Sequence, residues 1–87
     1  MTRLFAPRLP IAVDLDSHAR PTRFALHGRS HRLAQVVQRW EVDTDWWRPE
    51  GRIARAYCAA ITTDGLFCVF YQVLDGEGGW FLEKVYD

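Results

Sequence analysis

Apolar and polar residues alternate along much of the chain, a pattern typical of β-strands that bury one face and expose the other. In the first such segment Ile11, Val13 and Leu15 share one side, and the residues between them are small or charged. Proline, glycine and aspartate separate the segments, and a tight hairpin is expected at Gly28-Arg29. The pattern predicts strands at 9–16, 22–27, 53–63, 66–74 and 80–87.

The segment 31–42 fits two structures. Leu33, Val36, Val37 and Trp40 follow the i, i+3, i+4, i+7 spacing of an amphipathic helix. A strand accommodates the same residues if a β-bulge shifts the alternation between Leu33 and Val36. The paired valines and the missing N-cap favour a strand, whereas the alanine and glutamines favour a helix, so periodicity alone leaves both open.

Asp64-Gly65 separates two apolar runs and is a strong hairpin signal, because both central positions of a type I′ turn need positive φ. A two-residue turn at this point places Ile61 opposite Cys68. Since side chains alternate along a strand, Cys58 and Cys68 then lie on opposite faces, and no disulfide joins them. We expect both to be free thiols, and their apolar surroundings to raise the thiol pKa.

Both faces of this hairpin are apolar in the predicted pairing, and Phe67, Val69 and Tyr71 share one of them. A small barrel has one interior. The second face must therefore be covered by a terminal segment, by the tryptophan-rich loop or by another chain.

Composition indicates one globular domain, since 48% of the 87 residues are hydrophobic and 25% are charged. No apolar run approaches the roughly 20 residues of a membrane-spanning helix, and the first residues lack the features of a signal peptide. We expect a cytoplasmic protein with an N-terminal arm at 1–9 and one all-β domain at 10–87. The expected fold is an antiparallel meander of five to six strands, curled into a small, partly open barrel.

Charge is divided unevenly although the net charge is zero. Residues 1–40 hold seven arginines and two aspartates, whereas 41–87 hold four basic and nine acidic residues. Pairing of opposite charges across the sheet explains this division, and a basic binding face is the alternative explanation.

Three tryptophans lie close together at Trp40, Trp46 and Trp47. Trp40 ends a predicted strand and is the candidate for the core. Adjacent residues in an extended segment point in opposite directions, so one of Trp46 and Trp47 is expected to cover the barrel and the other to meet a partner.

Several stretches, in order, resemble a known family: "RPTRF", "RW" followed by "WW", and the terminal "WFLEKVYD". The chain is similar to small all-β domains of unknown function, which occur alone or at the C-terminus of bacterial Y-family DNA-polymerase-like mutagenesis proteins. The resemblance implies a β-meander, a long bent strand at 31–42 and no catalytic residues. This chain departs from the family in lacking outer charges around the Asp-Gly hairpin, which favours a covered face.

Catalytic and metal-binding patterns are weak. Ser17-His18 and Ser30-His31 are sequence neighbours, which point apart on a strand, and His27 with His31 would supply two ligands where a metal site needs three or four. We expect no enzyme activity, cofactor, metal, small-molecule substrate or membrane partner.

Two functions from different classes stay open. The first is a protein-interaction or self-associating accessory module, which the resemblance links to translesion DNA synthesis or DNA repair. Its candidate residues are Trp46, Trp47, Phe67, Val69 and Tyr71. The alternative is binding of single-stranded nucleic acid, in which cations contact phosphates while aromatic rings stack on bases. Its candidates are Arg20, Arg23, Arg29, Arg32 and Arg39.

Overall fold

Six antiparallel strands form a closed barrel in which each strand pairs with the next and the last pairs with the first. The computed structural model describes residues 2–44, 53–76 and 78–86, and their side chains at 9–43, 54–76 and 78–86. The strands are β1 (Thr2–Leu15), β2 (Pro21–Leu26), β3 (Arg29–Thr44), β4 (Ile53–Thr62), β5 (Phe67–Val73) and β6 (Trp80–Tyr86). The predicted all-β meander is confirmed.

Pairing of β1 with β6 closes the barrel, which the sequence predicted to be partly open. The expected N-terminal arm contributes to this closure, because β1 begins at Thr2 and Leu4 lies opposite Lys84. None of the described residues belongs to a helix long and apolar enough to cross a membrane.

The barrel interior is filled by side chains from every strand. Phe70 lies at its centre with no exposed surface, and its ring contacts those of Phe24 and Trp80 at centroid distances of 5.7 and 5.9 Å. The buried core consists of Ile11, Phe24, Cys58, Ala60, Cys68, Phe70, Leu82 and Val85.

The segment 31–42 is a strand, with register shifts at Leu33/Gln35 and Val36/Gln38. Leu33 and Val36 are three positions apart and would point to opposite faces of a regular strand. The register shift between Leu33 and Gln35 changes the alternation, so both side chains pack against the core. Val37 lies at the second shift and is 48% exposed, so it does not belong to the core. The helix-like spacing of the apolar residues therefore results from two register shifts in a strand.

The hairpin between β4 and β5 has a three-residue loop, and the predicted two-residue turn is wrong. The amide of Gly65 donates to the carbonyl of Thr62, and the amide of Thr62 donates to that of Leu66. Gly65 has a φ of 89°, whereas Asp64 is not in the positive-φ region that a type I′ turn requires. This is the pattern of a type I turn followed by a glycine bulge.

The extra loop residue shifts the strand register by one. Ile61 pairs with Phe67, and Cys58 pairs with Phe70, so the predicted pairing of Ile61 with Cys68 is incorrect. Both cysteines therefore face the barrel interior, on the same side of the sheet, where they remain free thiols as expected.

The first tight hairpin also differs by one residue from its predicted position. Leu26 pairs with Arg29, and the turn consists of His27 and Gly28 with φ values of 51° and 79°. Both central residues have positive φ, as a type I′ turn requires.

Gly65→Ala is expected to lower the free energy of unfolding by about 1–2 kcal/mol. No atom lies within 4 Å of a Cβ built at this position, so the cost comes from the positive φ alone. Urea denaturation measures it, with Thr63→Ala in the same loop as the control. Equal stability of the two variants would contradict the assigned turn.

Candidate functional site

Four aromatic side chains form a continuous row across the outside of β3, β4, β5 and β6. Trp40, Tyr57, Tyr71 and Phe81 lie directly opposite one another in successive strand pairs, and we call them the aromatic row. Successive ring centroids are 5.3, 5.2 and 5.7 Å apart, and the first pair is nearly parallel, with an interplanar angle of 4°. The row joins four strands on one outer surface.

Strand parity explains why the aromatic row faces outward. Cys58 and Phe70 point into the core, so their neighbours Tyr57 and Tyr71 must point away from it. On β3 the second register shift places Arg39 opposite Cys58 and turns Trp40 outward. Trp40 is half-buried against Tyr57, so its predicted place in the core is wrong.

Arg55 packs on the aromatic row. Its guanidinium carbon lies 4.5 Å from the centroid of the Tyr71 ring, and its Nη1 donates a hydrogen bond to Tyr57 Oη at 3.2 Å. That hydrogen bond raises the pKa of the Arg55 guanidinium, and Glu83 nearby acts in the same direction. The row is therefore held by a cation–π contact and a side-chain hydrogen bond as well as by ring packing.

The predicted protein-interaction residues on β5 lie on the outer face, but two of them are covered within the chain itself. Val69 and Tyr71 are only 3% and 4% exposed. Of the three covers that the sequence left open, a second chain is therefore not needed to bury these two side chains. Phe67 is half-buried against Tyr86, with their centroids 5.2 Å apart. The predicted candidates Trp46 and Trp47 lie outside the described residues.

The five predicted phosphate-binding arginines do not form one groove. Arg23 and Arg32 lie opposite each other on the outside of β2 and β3. Arg29 borders a cavity at one end of the barrel. Arg20 and Arg39 border a separate groove beside Pro21.

One of these cations already has an acidic partner. Arg23 Nε donates to Asp14 Oδ2 at 2.8 Å, and both side chains are about half exposed. This cross-strand ion pair joins two residues of the basic segment 1–40, so it does not account for the uneven division of charge, and at the surface it contributes little to stability.

Ser17 and His18 are hydrogen bonded, although the sequence suggested that they point apart. Ser17 Oγ and His18 Nδ1 are 3.2 Å apart in the exposed turn before β2, where strand alternation does not apply. Asp16 Oδ1 accepts the backbone amides of His18 and Arg20, which lowers the pKa of its carboxyl group. The carboxylate therefore caps the turn. Within the described segments, no cluster of three or more metal-ligating side chains occurs.

Both cysteines have weakly acidic thiols, as the sequence predicted. Burial raises the pKa of Cys58 to about 11 and that of Cys68 to about 12. A thiol with so high a pKa is almost entirely protonated near neutral pH and is therefore a poor nucleophile. The cysteines are core residues in this structure.

Comparison with known proteins adds no further information about this site. No protein-family model, curated protein or solved structure matches the chain.

Sequence reasoning missed Tyr57, Arg55 and Phe81 as members of a common surface. In the predicted two-residue turn, Tyr57 and Tyr71 fell on opposite faces of the hairpin. The signal was present nonetheless, because Tyr57 and Tyr71 are equally distant from Asp64 in sequence. A three-residue loop centred on Asp64 makes them partners.

Proposed function

We propose that this chain is a non-enzymatic interaction module that binds a second copy of itself through the aromatic row. The aromatic row carries the proposal, because three of its four rings are only partly buried although the barrel interior has its own separate core. Aromatic side chains are the residues most enriched at protein interfaces, where they supply large rigid contact areas.

The packing within the row favours a protein partner over nucleic acid. Trp40 and Tyr71 flank the ring of Tyr57, and Arg55 lies over the ring of Tyr71. Binding of single strands needs ring faces on which successive bases can stack. Here the faces at the centre of the row are already in contact with protein, so they are not open to successive bases.

The charges beside the row favour a second copy. Arg55 and Lys84 are cationic, and the acidic Glu83 interacts electrostatically with both. A surface that carries both signs of charge beside apolar rings can be complementary to itself when two copies meet about a two-fold axis. Binding of a phosphate backbone would instead favour an excess of cations.

The biological setting is a proposal that the family resemblance supports. Similarity to domains at the C-terminus of Y-family DNA-polymerase-like proteins suggests an accessory role in translesion DNA synthesis or repair. In that setting, a self-associating module would bring together the proteins that carry it, without any catalytic step of its own.

Trp40→Lys is expected to weaken self-association by at least about tenfold, because it places a charge where the row would meet its copy. Trp40 is the variant of choice because it lies at the end of the row, on the outer face. Sedimentation velocity from micromolar to millimolar protein measures the dissociation constant.

Val37→Lys is the matched control. Val37 is an exposed apolar residue on the same strand and is not part of the row, so its replacement should leave association unchanged. Circular dichroism checks that both variants are folded. A wild-type protein that stays monomeric throughout the range would refute the proposal, as would equal weakening by both variants. Salt-sensitive binding of a labelled oligonucleotide by that monomer would support the nucleic-acid alternative instead.

A further inference from the structure

A cavity of about 510 Å³ opens at the end of the barrel that carries the β2–β3 and β4–β5 turns. Its volume lies within the range of about 300–1,000 Å³ that is typical of small-molecule sites. The cavity is separate from the aromatic row, which lies on the outer surface. Its lining includes apolar side chains of the barrel core together with His27, Arg29 and His31.

The inner part of the cavity is apolar because it is the end of the barrel core. Phe24, Leu82 and Val85 belong to the buried core, and Leu26 and Leu66 pack against it. Phe70 fills the middle of the barrel and has no exposed surface, so the space is confined to one end. An occupant would therefore enter from the end and bury an apolar portion against these side chains.

Three basic side chains are among the described residues that line the cavity. Arg29 begins β3 and is exposed, His27 is in the turn before it, and His31 stacks on Phe24 with centroids 5.1 Å apart. No acidic residue is among the lining residues whose side chains the structure describes. The carboxylate of Asp64 lies beside the lining residue His31, with 3.9 Å between Asp64 Oδ2 and His31 Nδ1.

Asp64 is engaged by its own loop. Its Oδ1 accepts a hydrogen bond from the hydroxyl of Thr62, which lowers the pKa of the Asp64 carboxyl group. Arg29 interacts electrostatically with Asp64 and is, among the described residues that line the cavity, the one with a permanent positive charge. Guanidinium groups pair well with carboxylates, through two parallel hydrogen bonds.

We propose that this cavity binds an amphipathic monocarboxylate, with its hydrocarbon portion in the apolar interior and its carboxylate on Arg29. Decanoate is the probe, and isothermal titration calorimetry below its critical micelle concentration is the measurement. We expect saturable binding with one site per chain. Affinity should rise about fourfold for each methylene added from hexanoate to decanoate, as for burial of a CH₂ group.

Arg29→Ala tests the charged contact, because Arg29 is exposed and its loss removes no core packing. It should weaken decanoate binding at least about tenfold while leaving the binding of decanol unchanged. Arg32→Ala, an exposed arginine on the same strand that does not line the cavity, should change neither.

Leu26→Trp tests the apolar contact by placing a larger side chain in the cavity, and it should weaken both ligands. Absence of saturable decanoate binding would overturn the proposal, as would equal effects of Arg29→Ala and Arg32→Ala. Sedimentation of the same variants separates this proposal from self-association, because Arg29 and Leu26 are not part of the aromatic row.

Discussion

Replacing Phe70 with alanine is expected to lower the free energy of unfolding by about 3–5 kcal/mol. The side chain has no exposed surface, and it contacts Phe24 from β2 and Trp80 from β6. Its loss would leave a void beside the rings of these two residues. Because the total free energy of unfolding of small domains is about 5–15 kcal/mol, this substitution removes a large part of it. Urea denaturation followed by tryptophan fluorescence measures the change.

Phe67→Ala is the control on the same strand. Phe67 points outward and is half-buried, so its replacement should cost about 1–2 kcal/mol. Phe70→Leu keeps most of the volume and should also cost less than the alanine variant, which makes the comparison possible if Phe70→Ala does not fold. Equal losses at positions 67 and 70 would contradict the assigned inside and outside of the barrel.

Alkaline pH is expected to destabilise the barrel through its two buried thiols. The ordinary thiol pKa of 9.0 is raised to about 11 at Cys58 and about 12 at Cys68, chiefly by burial. The unfolded chain therefore releases these protons at lower pH than the folded chain does. Stability that is fully present below pH 9 is lost as the pH rises toward 11, by up to about 1.4 kcal/mol per pH unit for each thiol.

The double variant Cys58→Ala, Cys68→Ala isolates this effect. It will be less stable at neutral pH because it removes buried atoms, but its stability should change much less steeply between pH 9 and 11. Denaturation midpoints across that range measure the two slopes. Parallel slopes would show that the thiols do not cause the alkaline loss. Lys84, whose pKa is raised by a hydrogen bond to Tyr86, contributes equally in both proteins.

The positions of the strands could be predicted from sequence because alternation is a local property. Residues 22–27 became β2, and residues 80–87 became β6, each to within one residue at either end. Segment 31–42 was ambiguous because two register shifts gave a strand the apolar spacing of a helix. Only the pairing with β4, a long-range contact, resolves that ambiguity.

Strand register was harder to predict because one residue in a loop exchanges the two faces of a hairpin. The Asp-Gly sequence indicated the correct place for the turn, but it suits both a two-residue turn and a three-residue turn with glycine last. The wrong choice separated Tyr57 from Tyr71 and obscured the aromatic row. It also placed Cys58 and Cys68 on different faces.

The grouping of arginines could not be predicted from their order in the chain. Arg20 and Arg23 are close in sequence, yet one lies in a turn at the end of the barrel and the other on its outer wall. The closed barrel distributes consecutive segments around its circumference, so a locally basic sequence need not produce a basic face.

Proton chemical shifts of the aromatic rings, recorded as a function of protein concentration, test the central claim most directly. If two copies associate through the aromatic row, the ring signals of Trp40, Tyr57 and Phe81 will shift together as the concentration rises, with one dissociation constant. The signals of Phe24 and Phe70 in the core will stay constant. Ring signals of the row that do not change with concentration, or changes confined to the β2–β3 face around Arg23 and Arg32, would contradict the account.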